Sequence, residues 1–213
     1  MGIQISGGQS EDGVIVGNVY DKYGSRNPIV HWIQRGYMNA IDDLVKKAAP
    51  KSIHEIGCGE GFWVLHWNQL GIASRGSDFS KQVIDLAREN AVQKGLSTEN
   101  FYVKSIYDIN PEQDSADLVV CCEVLEHLER PNEALDALKK IVNNNLILSV
   151  PKEPLWHFLN MLRVKYLLKY GNTPGHIQQW SKSRFIQLVS RYFEIVEVKT
   201  PFPWTMVLCH AKK

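Results

Sequence analysis

Residues Lys51 to Gly61 read KSIHEIGCGEG and run directly into Phe62-Trp63-Val64-Leu65. Ser52 to Ile56 has the length and apolar flanks of a short strand, and the residues from Phe62 begin a helix-like segment. Between them Gly57, Gly59 and Gly61 alternate. Glycine is required where backbone takes φ > 0 or where a missing Cβ lets another group approach. The spacing therefore predicts a strand, a tight turn and a helix start against which a ligand sits. A glycine-rich connection that merely allows close strand-helix packing looks the same, so the neighbouring residues decide.

The first neighbour is Asp78. Phe62 to Leu70 reads as a helix ending at Gly71, and Ile72 to Asp78 as a second strand stopped by Asp78-Phe79-Ser80. In nucleotide-binding βαβ units an acidic residue about 20 positions beyond the glycines, at the tip of the second strand, accepts hydrogen bonds from ribose hydroxyls. A carboxylate takes two hydroxyls at once. The alternative is that Asp78 caps the helix starting near Ser80, and one carboxylate can do both.

The remaining elements continue the alternation. Ser80 to Lys94 is an amphipathic helix ended by Gly95, and Phe101 to Ser105 is a third strand. Asp117 to Cys122, with Leu118-Val119-Val120 as a near-continuous apolar run, is a fourth strand of the kind buried on both faces of a parallel sheet. Pro131 to Val142 is a helix with proline in its first turn, and Asn145 to Val150 a fifth strand closed by Pro151. Ser181 to Tyr192 follows as a helix, Glu194 to Lys199 as a sixth strand and Thr205 to Ala211 as a seventh. The β-α-β pattern predicts a doubly wound α/β sheet with its ligand at the carboxyl ends of the strands.

Upstream, residues 1–17 are rich in Gly, Ser and Gln and read as a flexible arm or a loosely docked flap. Residues 18–50 form an N-terminal cap. After Pro28 its apolar residues Ile29, Trp32, Ile33, Tyr37, Ile41, Leu44 and Val45 recur at helical spacing. That stripe reads as packing against the sheet or a lid, and Tyr20 and Tyr23 are candidates to face a ligand. The chain is thus expected to be one domain over 1–213, with a cofactor-binding core at 51–150, a lid or acceptor segment at 151–180, and the last helix and strands at 181–213.

Composition narrows the function classes. With 213 residues, 44% hydrophobic and 22% charged residues and a formal charge of +1, the chain is ordinary globular material. No long Lys/Arg run offers the clustered positive charge that a nucleic-acid duplex demands, so no nucleic-acid partner is expected. No stretch approaches the roughly 18–20 apolar residues of a membrane span, and the N-terminus lacks secretory-signal features, so a cytoplasmic protein is expected. Cys58, Cys121, Cys122 and Cys209 have neither CxxC spacing nor paired histidines at ligand spacing. They read as small apolar fillers, and no metal is expected.

In order, HEIGCGEG, SDFS, ADLVVCCEVLEHL and NLILSVP resemble the class I S-adenosylmethionine-dependent methyltransferases. The likeness is greatest to the small-molecule subgroup that includes ubiquinone-biosynthesis-type O-methyltransferases. It covers roughly Val19 to the C-terminus. A dinucleotide fingerprint would space its glycines G-x-G-x-x-G, which this loop does not. An NAD-dependent Rossmann oxidoreductase is thus the weaker alternative, and a catalytically silent cofactor-binding or scaffolding subunit is another.

The resemblance implies a Rossmann-like seven-stranded sheet with an antiparallel C-terminal strand, an N-terminal helical cap and a helical lid insertion after the fifth strand. It implies S-adenosylmethionine as cofactor. Glu55 and Gly57 would approach its methionine end, Gly59 and Gly61 its carboxylate and ribose, and Asp78, with Phe79 beside it, the ribose. Ser105 stands where the family often has an adenine-binding aspartate. Ile106 would pack on the ring, with Asp108 as an alternative polar contact. Glu123, Glu126 and His127 follow the fourth strand at the mouth of the cleft, and Glu123 would be a further cofactor-binding residue. His127 and His176 are the candidate general bases, and His127 has a structural alternative as a loop support that touches the cofactor.

The segment PKEPLWHFLNMLRVKYLLKYGNTPGHIQQW, residues 151–180, is the most individual part of the chain. Its apolar, basic helical stripe reads as a lid over a hydrophobic acceptor, a dimer contact, or, through 152–170, a peripheral membrane contact. Trp156, His176 and Trp180 are the acceptor-pocket candidates alongside Tyr20 and Tyr23. The expected partner is a small, apolar or aromatic acceptor molecule, and the expected state a monomer or homodimer.

Overall fold

The computed structural model describes residues 2–11, 14–18, 21, 23–153 and 177–212. Tyr20, Trp156 and His176 lie outside the described residues, and so does the expected lid helix from 154 onward.

Seven strands form one sheet: β1 (Ser52–Ile56), β2 (Ala73–Asp78), β3 (Phe101–Val103), β4 (Ala116–Cys122), β5 (Val142–Pro151), β6 (Phe193–Lys199) and β7 (Trp204–Ala211). Their order is β3-β2-β1-β4-β5-β7-β6. The first five are parallel, with Ile53 opposite Leu118 and His54 opposite Arg75. β7 inserts antiparallel between β5 and β6. The sheet is therefore the Rossmann-like, seven-stranded form with an antiparallel C-terminal strand that the sequence resemblance implied.

Helices cover both faces. These are α1 (Pro28–Ala48), α2 (Phe62–Gln69), α3 (Lys81–Gln93), the single turn α4 (Pro111–Asp114), α5 (Pro131–Ile141) and α6 (Lys182–Val189). Asn27 caps α1 through its side-chain oxygen, which accepts from Ile29 N and Val30 N, and Pro28 occupies the first turn. Strand β4 shows why the apolar run is continuous. Leu118 and Val120 join the core beneath α1 and α2, while Val119 and Cys121 join the core beneath α5 and α6. All four are fully buried. Burial on both faces leaves no position for a polar residue.

The N-terminal segment read as an arm or loosely docked flap is docked on the core in its described part. Ser10–Glu11 pairs antiparallel with Val14–Ile15, and Ser6 is buried. The physical reason is a set of polar contacts with Glu60 and Asn90, taken up below.

Candidate active site

The turn after β1 is built from three glycines at positive φ: Gly57 at 75°, Gly59 at 53° and Gly61 at 84°. Two of them are there for packing. A Cβ on Gly57 would collide with Val124, and one on Gly61 would lie 2.7 Å from the Phe101 ring. At Gly59 a Cβ would meet nothing within 4 Å. Gly59 is thus the glycine that opens onto free space, with its backbone turned outward at the carboxyl end of the sheet. That is the cradle a ligand backbone or ribose would occupy.

Asp78, the last residue of β2, closes the other side. Its Oδ2 accepts from the Gly59 N–H at 3.1 Å and its Oδ1 from the Ser80 N–H at 3.0 Å. Ser80 itself caps α3, its hydroxyl accepting from Val83 N. Helix capping and carboxylate placement are therefore divided between neighbouring residues. Burial raises the Asp78 pKa above the ordinary carboxylate value, and the nearby Glu60 charge adds to the effect against backbone bonds from Ser80, Gly59 and Phe79. A carboxylate has about four acceptor sites, so Asp78 retains capacity for a further donor. Phe79, nearly half exposed, stands beside it.

Glu55 is buried at the end of β1, opposite Gly76 and Val120. Tyr23 stacks on Phe62, the first residue of α2, with ring centroids 3.6 Å apart and planes 6° apart. Burial drives the Tyr23 hydroxyl well above its ordinary pKa, with the charges of Glu55, Glu60 and Glu123 adding to the shift. Three carboxylates thus lie near enough to the phenol to act on it electrostatically. Of the predicted aromatics with described positions, Tyr23 makes this contact. Trp180 instead packs against Phe185 of α6, 6.2 Å between centroids.

The strand end of β4 carries the second group. Glu123 has φ of 59°, in the left-handed region that a glutamate rarely adopts. Its Oε1 accepts from the Ser149 hydroxyl at 3.0 Å and its Oε2 from the Trp204 indole N–H at 2.5 Å. Ser149 is in turn 2.8 Å from the Tyr37 hydroxyl. Strained backbone held by buried polar partners clusters at functional positions. Leu125–His127 forms one turn of 3₁₀ helix just beyond, with His127 half-buried and its N–H bonded to Val124 O. The Glu126 carbonyl accepts from both Ile177 N and Gln178 N, so this turn also anchors the chain that returns from residues 154–176.

Beyond β3, Ser105 caps the turn Ile106–Asp108, its hydroxyl accepting from Tyr107 N at 3.3 Å. Ile106 is buried in the core with Ile56, Ile109 and Leu125, and Asp108 is exposed. Sequence reasoning missed Glu60, whose carboxylate ties down the N-terminal segment. It also missed Ser149 and Trp204, and read Tyr37 as packing alone. A charged residue between two glycines of a tight turn was the available signal for Glu60.

Fold, glycine turn and strand-tip acid together form the arrangement that the resemblance to class I methyltransferases implied. Residues 54–149 match the methyltransferase domain family. Gly57, Gly59, Gly61 and Asp78 all lie within that match. Among curated proteins, it is 26% identical over 153 residues to a ubiquinone biosynthesis O-methyltransferase of Aeromonas salmonicida (strain A449), covering 70% of this chain and 64% of that protein. It is 26% identical over 125 residues to the protein of the same name from Shewanella halifaxensis (strain HAW-EB4), covering 58% and 52%. The chain thus spans between half and two thirds of these relatives' lengths. Among solved structures, magnesium protoporphyrin IX methyltransferase from Synechocystis PCC 6803 with bound SAH superposes with a TM-score of 0.66 at 20% identity, over 89% of this chain and 90% of that one. PH0226 protein from Pyrococcus horikoshii OT3 gives 0.67 at 17% identity, over 84% and 92%. At such identities the structures attest the fold.

Proposed function

We propose that this protein transfers the methyl group of S-adenosylmethionine to an oxygen or nitrogen of a small, apolar or aromatic metabolite. The observation that carries the reading is the pairing of the open glycine, Gly59, with the Asp78 carboxylate hydrogen-bonded to it at the tip of the second strand. The names of the curated relatives favour oxygen as the acceptor atom and a quinone-like ring as the acceptor class.

When bound, S-adenosylmethionine supplies a methyl carbon on a sulfonium, which an acceptor attacks in line as the carbon–sulfur bond breaks and the sulfur becomes a neutral thioether. The protein's task is alignment, worth several kcal/mol, and removal of the acceptor proton. Gly59 and Asp78 hold the ribose. Glu55 and Glu123 serve the cofactor, and Tyr23 the acceptor. His127 and His176 stand as the candidate bases, suited by an imidazole pKa near neutrality. Binding that excludes water from the cleft would strengthen each of these contacts.

Calorimetric titration with S-adenosylhomocysteine tests the cofactor half, and the expected outcome is one site per chain. Titration by NADH with no response to the nucleoside would restore the oxidoreductase alternative. Incubation of the protein with methyl-labelled cofactor and a cell extract tests the acceptor half. Label should enter a small, extractable metabolite, and label in no molecule would favour the silent scaffold.

A further inference from the structure

The residue between the second and third glycines, Glu60, is buried, and its carboxylate points away from the sheet into the N-terminal segment. Oε1 accepts from Ser6 N at 3.0 Å and from Asn18 N at 2.7 Å, and Oε2 from Asn18 Nδ2 at 2.6 Å. Ser6 and Asn18 are the two ends of a ribbon whose described residues are 6–11 and 14–18. The ribbon is closed internally by Gly7 N to Asn18 O, Val16 N to Gln9 O and Ser6 Oγ to Val16 O. Its tip reaches the other loop of the site, where Glu11 Oε2 accepts from the Ser80 hydroxyl, two residues beyond Asp78. Gln4 and Asn90 exchange two hydrogen bonds at 2.7 and 3.0 Å, and Asn90 also donates to the carbonyl of Glu60.

The ribbon is therefore pinned to both loops that flank Gly59 and Asp78. We infer that it is the outer wall of the cofactor site, and that Glu60 is the positioning residue that holds it there. This rests on the reading of the cleft as an S-adenosylmethionine site. A buried carboxylate with three N–H donors and no ion pair to a cation among the described residues is a device for fixing backbone. Gly17 makes the fit specific: at φ of 63°, any Cβ there would collide with the Glu60 carboxylate.

The test is amide hydrogen exchange of the whole protein with and without S-adenosylhomocysteine, together with the dissociation rate of that ligand. In the wild type the ligand should slow exchange at Ser6, Val16 and Asn18. Glu60→Ala and Gly17→Ala should each abolish that protection and speed dissociation about tenfold or more, the scale set by losing charge-assisted hydrogen bonds. Glu60→Gln, which keeps the acceptor on Oε1, should fall between. Gly17→Ala acts from the ribbon side, so it reports even where Glu60→Ala does not fold. Ligand binding to the wild type with no change of ribbon exchange, or with unchanged dissociation in the folded variants, overturns the inference alone. Failure of the wild type to bind the ligand overturns the cofactor reading and this inference together.

Discussion

The backbone N–H of Gly59 donates to Asp78 Oδ2 at 3.1 Å, joining the turn after the first core strand to the tip of the second. One contact thus sets the distance between the open glycine and the acid, and the cleft between them is fixed before any ligand arrives. Preorganisation of this kind raises affinity by sparing the ordering cost at binding.

Asp78→Ala should weaken binding of S-adenosylhomocysteine by about 1–3 kcal/mol, because two donors would lose their acceptor. Calorimetry measures this directly, and unchanged affinity would remove Asp78 from the ribose role.

The glycines of the turn should separate by effect. Gly61→Ala places a methyl 2.7 Å from the Phe101 ring, so its main consequence is lost stability, of roughly 1–3 kcal/mol for an overpacked core. Gly59→Ala meets no protein atom and costs stability only about 1–2 kcal/mol for the left-handed conformation. Its larger effect should fall on cofactor affinity. Thermal unfolding and calorimetry on both variants distinguish the two roles.

Acid should weaken the fold through His54. This residue is fully buried, with Nδ1 at 2.7 Å from Asp114 O and Nε2 near both Ser77 Oγ and the Tyr102 hydroxyl. Desolvation lowers its pKa from 6.5 to about 4. The unfolded chain therefore binds a proton that the folded one refuses between those values. Stability from this group is complete above pH 6.5 and is lost as pH falls towards 4, by about 3 kcal/mol in all. Urea unfolding at pH 7 and pH 4.5 should show the loss, and His54→Gln should flatten the dependence.

Trp204→Phe keeps an aromatic ring near Tyr37, 4.9 Å away, and deletes the N–H that reaches Glu123. The expected cost is about 1–3 kcal/mol of stability, the range for a hydrogen bond to a charged group. With Glu123 read as a cofactor contact, the KM for S-adenosylmethionine should also rise while the acceptor KM stays unchanged. Steady-state kinetics against each substrate makes that comparison.

Much of the fold was legible because its signals are local. The periodicity of α1, the apolar run Leu118-Val119-Val120 and the spacing of Gly57, Gly59 and Gly61 each depend on neighbours within one turn of chain. Asp78 was legible for the same reason, since one βα unit separates it from the glycines. Glu60 was not. Its partners Ser6 and Asn18 lie 54 and 42 residues away, and no periodicity links them. Glu123 was placed at the mouth of the cleft from its position after β4, but its bonds to Ser149 and Trp204 come from strands 26 and 81 residues later.

The sequence by itself determined the alternation of elements, the glycine turn and the acid at the second strand tip, because hydrophobic period and backbone permissiveness are properties of short segments. Only the tertiary structure decided that Gly59, and not its two neighbours, faces open space, and that the N-terminal ribbon closes on Glu60. Both depend on which side chains arrive from distant strands, and excluded volume and buried hydrogen bonds select among arrangements that a local pattern leaves equivalent.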